Sequence, residues 1–484
     1  MPFLSQLMDA PVANDVEISM ITADSRKVQP GALFAAIPGT AVDGRDYIES
    51  AIAKGASAVL STKGLADMPV TYVGVDEPRL TYSQIAARLY AGQPETLVAM
   101  TGTNGKSSTV EFLRQIWAYA GRKAACFGTL GVQSHEGYRP LTHTTPDAVA
   151  LHKTLSELAA QGVTHAAMEA SSHGLNQYRL DAVKVTASGF SNLTQDHLDY
   201  HPTMEDYFIA KARLFTELTP ADAPVVINVN DQYGQRLSDI CKARGQKVLR
   251  VGWTGEDIRI DEVTPRRASQ ILSLVVNGTR CKVELPLAGE FQTLNAISAL
   301  GLAIATGVAQ ESAVEALGHL SGVAGRMERA GEHPNGAPVF VDFAHTEDGL
   351  DKLLRSVRPH TMGKIVIVFG CGGDRDPHKR AKMGRRAANL ADDVIVTDDN
   401  PRTEDAASIR KTVLIGCPDA AEIGDRASAI NEGLSRLGPQ DCLVIAGKGH
   451  EQGQIVGDKV IPFSDVDVAR KAIKALAAKG GANG

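Results

Sequence analysis

Cysteine is scarce in this chain. Only six occur in 484 residues, at Cys126, Cys241, Cys281, Cys371, Cys417 and Cys442, and no two form a Cys-x-x-Cys pair. That spacing argues against a metal site or disulfide framework built on cysteine and points to reduced thiols in a cytosolic setting. Long apolar runs are also missing, since no segment approaches 18 residues. The N-terminus has no basic stretch followed by an apolar one. Neither export nor membrane insertion is therefore expected, and the expected location is cytoplasmic. Positive charge is not in excess, with 50 Lys and Arg against 56 Asp and Glu and a net charge of −6. This argues against a general nucleic-acid binder, so any phosphate recognition must be local. Aromatic residues make up only 5%, within an ordinary soluble composition of 43% hydrophobic and 22% charged residues. The length suggests about three domains.

What is present centres on residues 97–108. A short apolar run leads into Thr101, Gly102, Thr103, Asn104, Gly105, Lys106, Ser107 and Ser108, and Val110, Leu113, Ile116 and Trp117 follow at helical spacing up to Gly121. Gly102 and Gly105 let the backbone curl with its N–H groups inward, and the helix N-terminus adds partial positive charge. Lys106 supplies a full charge, and the Ser107 hydroxyl is a magnesium ligand of the right type. The pattern is a shortened phosphate loop, because Met100 stands where the longer form has glycine. The plain alternative is a glycine turn with no ligand.

Residues 1–93 read as a small α/β unit, with strands at 18–22, 32–37, 58–61 and 70–75 and a helix at 48–55. Its polar islands are 24–26 and 43–45, for which a solvated loop is the alternative. Gln93-Pro94 marks a boundary. From 94 to 325, strand, polar loop and helix alternate, with strands ending at Met100, Met168, Phe190 and Val229. The clusters 101–108, 169–173, 191–197 and 230–231 follow those ends, where open α/β sheets bind ligands. From 326 to 484 the pattern returns, with loops at 344–346, 370–376, 397–402 and 447–451. Gly370-Cys371-Gly372 begins like a dinucleotide fingerprint, but Arg375 occupies its third glycine position. The tail 477–484 is rich in Gly and Ala and is expected to fray.

Three further side chains invite chemistry. Glu169 and His197 stand at strand ends, where an acid and an imidazole can hold a metal; a salt bridge and a capping histidine are the alternative. Lys211 shares a helical face with Tyr207 and Phe215. Such a lysine ordinarily extends to solvent. Buried instead, its neutral amine is favoured, and a neutral amine reacts with CO2 to give a carbamate.

Together, residues 24–26, 101–108, 144–146, 169–175, 191–201, Lys211, 325–328, 369–376, 399–402 and 447–451 resemble the Mur ligase family of peptidoglycan synthesis, nearly end to end. The likeness is strongest to its diaminopimelate-adding branch. It implies a three-domain α/β fold: a small N-terminal α/β domain for the UDP substrate, a central phosphate-loop ATPase domain with a parallel sheet, and a C-terminal Rossmann-like domain for the amino acid. The implied reaction is ATP-dependent amide formation between UDP-N-acetylmuramoyl-L-alanyl-D-glutamate and meso-diaminopimelate, through an acyl phosphate. The resemblance makes Lys106, Glu169, His197 and Lys211 catalytic. Residues 102–108, Asn295, Arg326 and Asp342 would bind ATP. Ser107, Glu169, His197 and Lys211, the last as its carbamate, would hold Mg2+.

By the same resemblance, Ser25, Thr144, Thr145, Ser171, Gln177 and Arg179 contact the nucleotide-peptide. Arg375, Asp399, Asn400, Arg402, Gly447 and Glu451 contact diaminopimelate, and a monomer that uses neither nucleic acid nor membrane is implied. The Arg402 guanidinium fork suits the extra carboxylate that distinguishes diaminopimelate from lysine. The chain departs from the family pattern at Ser107-Ser108, Ala170, Thr40-Ala41, Glu347 and Gly453. None of these removes a residue the chemistry needs. A lysine-adding ligase is the alternative within the class, and a non-catalytic nucleotide-binding regulator is the alternative outside it.

Overall fold

The computed structural model describes residues 1–8, 12, 14–39, 42–65, 68–141, 143–197 and 200–481. Thr40 and Ala41 lie outside the described residues. The chain forms two compact units: Met1–Arg259 with Ile297–Ala313, and Ile260–Ala296 with Val314–Gly484.

The first unit holds two sheets. Near the N-terminus, Met20–Thr22, Ala32–Ala35, Ala56–Thr62 and Thr71–Val75 pair in chain order, all parallel. Leu33, Ala35, Ala58 and Leu60 bury one face against Tyr82, Ile85 and Ala86 of the helix Pro78–Leu89, which opens on a proline that needs no N–H partner. The helix expected at 48–55 is Ile48–Ala53.

In the larger sheet the parallel strands run in the order Ile258–Pro265, Val248–Gly252, Val225–Asn228, Ala187–Phe190, Thr96–Thr101, His165–Glu169 and Ala124–Gly128. Two antiparallel strands, Gly131–Ser134 and Gly137–Arg139, extend it. Parallel strands are covered on both faces, and so they read as continuous apolar runs; Leu97, Val98, Ala99 and Met100 are all fully buried. From Thr96–Thr101 the chain first builds outward on one side, to Ala124–Gly128 and back to His165–Glu169. It then crosses to Ala187–Phe190 on the other side. That reversal puts a ligand crevice at the carboxyl ends of these strands, where the polar clusters lie.

In the second unit, Glu328–Glu332, Pro338–Asp342, Cys442–Ala446, Ile365–Phe369, Asp393–Val396 and Ala421–Glu422 form one sheet, antiparallel only in its first pair. A buried ion pair braces it. The Arg426 guanidinium meets Asp465 through Nε and Nη2, each at 2.7 Å, and also donates to the carbonyls of Ala446 and Asp398. Two hairpins, Gln270–Val276 with Thr279–Leu285 and Gly453–Val456 with Lys459–Pro462, complete the unit. Glu347 opens the helix Glu347–Val357, where an acid suits the positive helix end, and its Oε1 accepts from Arg386 at 3.0 Å. Of the tail expected to fray, residues 477–481 belong to the helix Asp465–Gly481, and residues 482–484 lie outside the described residues. All six cysteines are free thiols, and five are buried. Among the described residues no helix is long and apolar enough to cross a membrane.

Candidate active site

The phosphate loop links the strand Thr96–Thr101 to the helix Lys106–Tyr119. Gly102 has φ +142, and a Cβ there would overlap the Ser191 hydroxyl, so only glycine lets the loop lie this close to its neighbour. Residues 191–194 clamp the loop from the adjacent strand end. Thr103 N donates to Asn192 O at 2.9 Å, Asn104 N to Asn192 Oδ1 at 3.1 Å, and Ser191 Oγ to Asn104 O at 2.6 Å. Lys106 Nζ donates to the carbonyls of Gly102 and Thr103, both at 2.9 Å. Ser108 is buried behind the loop.

Ser107 and Glu169 come together. Ser107 Oγ donates to Glu169 Oε1 at 2.8 Å, and Thr129 N donates to the same oxygen at 2.8 Å. Thr129 Oγ1 reaches Oε2 at 3.3 Å. Glu169 is 3% exposed. This buried carboxylate beside a hydroxyl is an all-oxygen donor pair, which fits a hard cation such as Mg2+. Among the described residues no three His, Cys, Asp or Glu side chains converge as a metal cage.

Lys211 is buried, at 1% exposure, and does not extend to solvent. It rides on the helix Met204–Arg213, which starts at a capping box of Thr203 and Asp206. Its Nζ donates to Gly102 O at 2.8 Å and stands 4.5 Å from the centre of the Tyr207 ring. Burial pushes its ammonium well below the ordinary lysine range, and the charge of Lys106 adds to the shift. Tyr207 in turn bonds Thr103 Oγ1 at 3.3 Å. His197 sits on a left-handed turn at φ 53 and is roughly half exposed. Its ring packs edge-on to His173 and Tyr207, and Nε2 lies 3.6 Å from the Asp196 carboxylate.

The side chains assigned to the nucleotide-peptide, apart from Ser25, join Glu169 in one network. Thr145 Oγ1 donates to Glu169 O and accepts from Ser171 N. Thr144 Oγ1 lies 2.9 Å from Thr129 Oγ1. Arg179 donates to Thr145 O at 2.6 Å and to Gln177 Oε1 at 2.7 Å, and Gln177 Nε2 reaches the Tyr200 hydroxyl at 3.3 Å. Ser171 caps the short helix Ser172–Asn176. Ser25 opens a turn of 3-10 helix capped by Asp24, and its carbonyl accepts from Lys54.

In the second unit, Asn400 and Glu451 meet at 2.8 Å, between Asn400 Nδ2 and Glu451 Oε2. Arg402 takes φ 52, and its Nη1 donates to Gly373 O at 2.8 Å. Asp399 is buried beside Gly447, and its Oδ1 accepts from Asn400 N. Arg375 is exposed. Asp342 anchors the Arg326 turn by accepting from Met327 N and Ala344 N, each at 2.7 Å. Burial pushes its carboxyl up, with Arg326 opposing. The Arg326 guanidinium lies 5.1 Å over the Phe343 ring. Asn295 is buried, bonded to Gln292 at 3.3 Å.

Three family models match the chain in turn. Residues 17–90 match one described as Mur ligase family, catalytic domain; residues 100–303 match Mur ligase middle domain; and residues 325–449 match Mur ligase, glutamate ligase domain. A UDP-N-acetylmuramoyl-L-alanyl-D-glutamate–2,6-diaminopimelate ligase of Agrobacterium fabrum is 50% identical over 98% of this chain and 97% of its own length. The chain belongs to the Mur ligase family. A ligase of the same description from Caulobacter vibrioides is 48% identical over 98% of this chain and 99% of its own. A solved structure described by that same activity superposes with a TM-score of 0.75 at 32% identity, covering 98% of this chain and 99% of that one. The three-domain α/β fold of the family is thus the fold of this member.

Two residues of the site escaped sequence reasoning. Thr129 holds both Glu169 oxygens, and its only signal is its place directly after a strand end in the same sheet. Lys448 lies unremarked between Gly447 and Glu451, yet its side chain is completely buried.

Proposed function

We propose that this chain adds meso-diaminopimelate to UDP-N-acetylmuramoyl-L-alanyl-D-glutamate at the expense of ATP. The observation that carries this reading is the buried Glu169–Ser107 pair beside Lys106, in a chain half identical over nearly its full length to a ligase of that description. The D-glutamyl carboxylate attacks the γ-phosphoryl group and ADP leaves. The amine then displaces phosphate from the acyl phosphate, which yields the amide. Bringing two anions together is the difficult part, so cationic clamps supply much of the stabilisation.

Each residue has a task in this scheme. Lys106 contacts the phosphates. Ser107 and Glu169 would hold Mg2+, which when bound would neutralise phosphate charge. Lys211, whose burial favours the neutral amine, would carry a carbamate and, with Glu169 and His197, would hold a second Mg2+. Asn295, Arg326 and Asp342 contact the nucleotide. Ser25, Thr144, Thr145, Ser171, Gln177 and Arg179 hold the muramoyl-dipeptide. Arg375, Asp399, Asn400, Arg402, Gly447 and Glu451 hold diaminopimelate. Domains at 1–93, 94–325 and 326–484 would divide this work, a division the three family-model intervals support. The enzyme works as a cytoplasmic monomer.

The test is phosphate release from ATP in the presence of the UDP-muramoyl-dipeptide, with diaminopimelate or L-lysine added separately. Release that requires the dipeptide and diaminopimelate is expected. Release with lysine alone would select the lysine-adding reading, and release indifferent to both co-substrates would sink the ligase reading altogether.

A further inference from the structure

Lys448 has no assigned part in the proposed reaction. Its side chain is 0% exposed, and an ammonium removed from water is tolerated only when its donors find partners. All three do. Nζ donates to Asn400 Oδ1 at 2.9 Å, to Glu451 Oε2 at 2.8 Å and to Gly453 O at 2.7 Å. The loop 399–402, the turn 447–451 and the hairpin strand Gly453–Val456 therefore meet at one nitrogen.

These bonds also decide which way two side chains present themselves. Asn400 Oδ1 accepts from Lys448 Nζ and from Ile455 N, the latter at 2.9 Å. A flipped amide would set Nδ2 against the ammonium, so Nδ2 is committed to Glu451 Oε2. Glu451 Oε2 thus receives two donors, while Oε1 takes a hydrogen bond from no described residue. Desolvation pushes the Glu451 carboxyl up, but the bonds from Lys448 and Asn400 outweigh it and leave it below the ordinary range.

We infer that Lys448 is a positioning residue for the amine-bearing substrate. It holds Glu451 as an acceptor whose Oε1 stays available to a substrate ammonium, and it locks Asn400 in the one orientation compatible with that. The inference rests on the ligase activity proposed above. Lys448 acts through its neighbours and does not itself touch the substrate. A site held this way is set before the amino acid arrives, which limits what binding must order.

Lys448→Met keeps the chain length and removes the charge. The expected result is a rise in KM for meso-diaminopimelate on the order of tenfold or more, as for truncating one partner of a buried charged pair. The KM values for ATP and the UDP-dipeptide should stay within about twofold and kcat within about threefold. A variant with unchanged KM for diaminopimelate, or with equal losses for all three substrates, overturns the inference. Lys448→Met alone leaves Glu451 without its counter-charge, so a cycle with Glu451→Gln guards against a variant that does not fold. The double variant loses both charges, and its KM should match that of Glu451→Gln within about threefold, because residues acting as a unit are not additive. Effects that multiply would overturn the inference. Wild-type protein with no amino-acid-dependent phosphate release would overturn the ligase reading and this inference together, whereas active wild type with a silent Lys448→Met overturns this inference alone.

Discussion

Replacing Gly128 by alanine tests how Glu169 is held. Gly128 ends the strand Ala124–Gly128, and its φ is not positive, so alanine adds no backbone strain there. A Cβ at that position would nonetheless overlap the Glu169 carboxyl group, at 2.5 Å from both Cδ and Cγ. The backbone on both sides belongs to paired strands and resists movement, so the glutamate side chain must leave its seat. Leaving it breaks the 2.8 Å bonds from Ser107 Oγ and Thr129 N. Hydrogen bonds to a charged acceptor contribute about 1.5–3 kcal/mol each, so the two together represent roughly 3–6 kcal/mol. If half of that is lost in the transition state, turnover falls by roughly ten- to a hundred-and-fifty-fold. The assay is phosphate release at saturating substrates across a Mg2+ titration, with urea unfolding as the control for stability. Gly128→Ala should need more Mg2+ and turn over far more slowly. Turnover within about threefold of wild type, with an unchanged Mg2+ requirement, would refute the seat and the role proposed for Glu169.

Three further expectations follow from the geometry. Arg402→Ala should lower the preference for diaminopimelate over lysine by at least about tenfold, since the guanidinium meets no second carboxylate on lysine; an unchanged ratio of the two turnover rates refutes the assignment. Asp465→Asn leaves Arg426 buried without its counter-charge and should cost about 3–5 kcal/mol in urea unfolding; a loss below about 1 kcal/mol contradicts the bracing role. Burial pushes the His152 imidazole down to about 4, with Nε2 lacking a hydrogen-bond partner among the described residues. The folded chain refuses a proton that the unfolded chain accepts below its ordinary 6.5. Stability is therefore full above pH 6.5 and falls toward pH 4, by about 3 kcal/mol for this group. His152→Leu should flatten that slope in urea unfolding series, and an identical slope in variant and wild type rules the histidine out. His201, also pushed down to about 4 by burial, leaves part of the slope in place.

Much of the fold was legible because parallel strands are apolar on both faces. The runs ending at Met100, Met168, Phe190 and Val229 correspond to strands ending at Thr101, Glu169, Phe190 and Asn228. Polar loops stand out sharply after such runs, which is why Lys106 and Glu169 could be picked out; the loop holding Asn400 stands out in the same way, but its role came from the family resemblance. The hairpins were less visible. Gly137–Arg139 is wholly exposed, and Thr279–Leu285 is mostly so, which gives neither segment an apolar signature. Lys211 shows a deeper limit. Its helix is amphipathic, and only packing decides whether a lysine beside Tyr207 extends to water or turns inward. Thr129 acts partly through its backbone N–H, which every residue but proline possesses, so its identity alone carries little information. Lys448 is legible only once its three acceptors, from three chain segments, are in place.

The reversal of strand order in the large sheet has a cost in time. Leu97 and Thr186 are hydrogen-bonded partners 89 positions apart. At a synthesis rate of about 5–20 residues per second, the strand Thr96–Thr101 waits roughly 4–18 s on the ribosome before the strand that clamps its phosphate loop has been made. During that wait Leu97, Val98, Ala99 and Met100, fully buried in the finished molecule, present an open strand edge to other chains. A nascent chain arrested between residues 108 and 186 therefore carries the loop meant for ATP but not the partner that shapes it. Such a fragment is a ready template for aggregation and has no use as an enzyme.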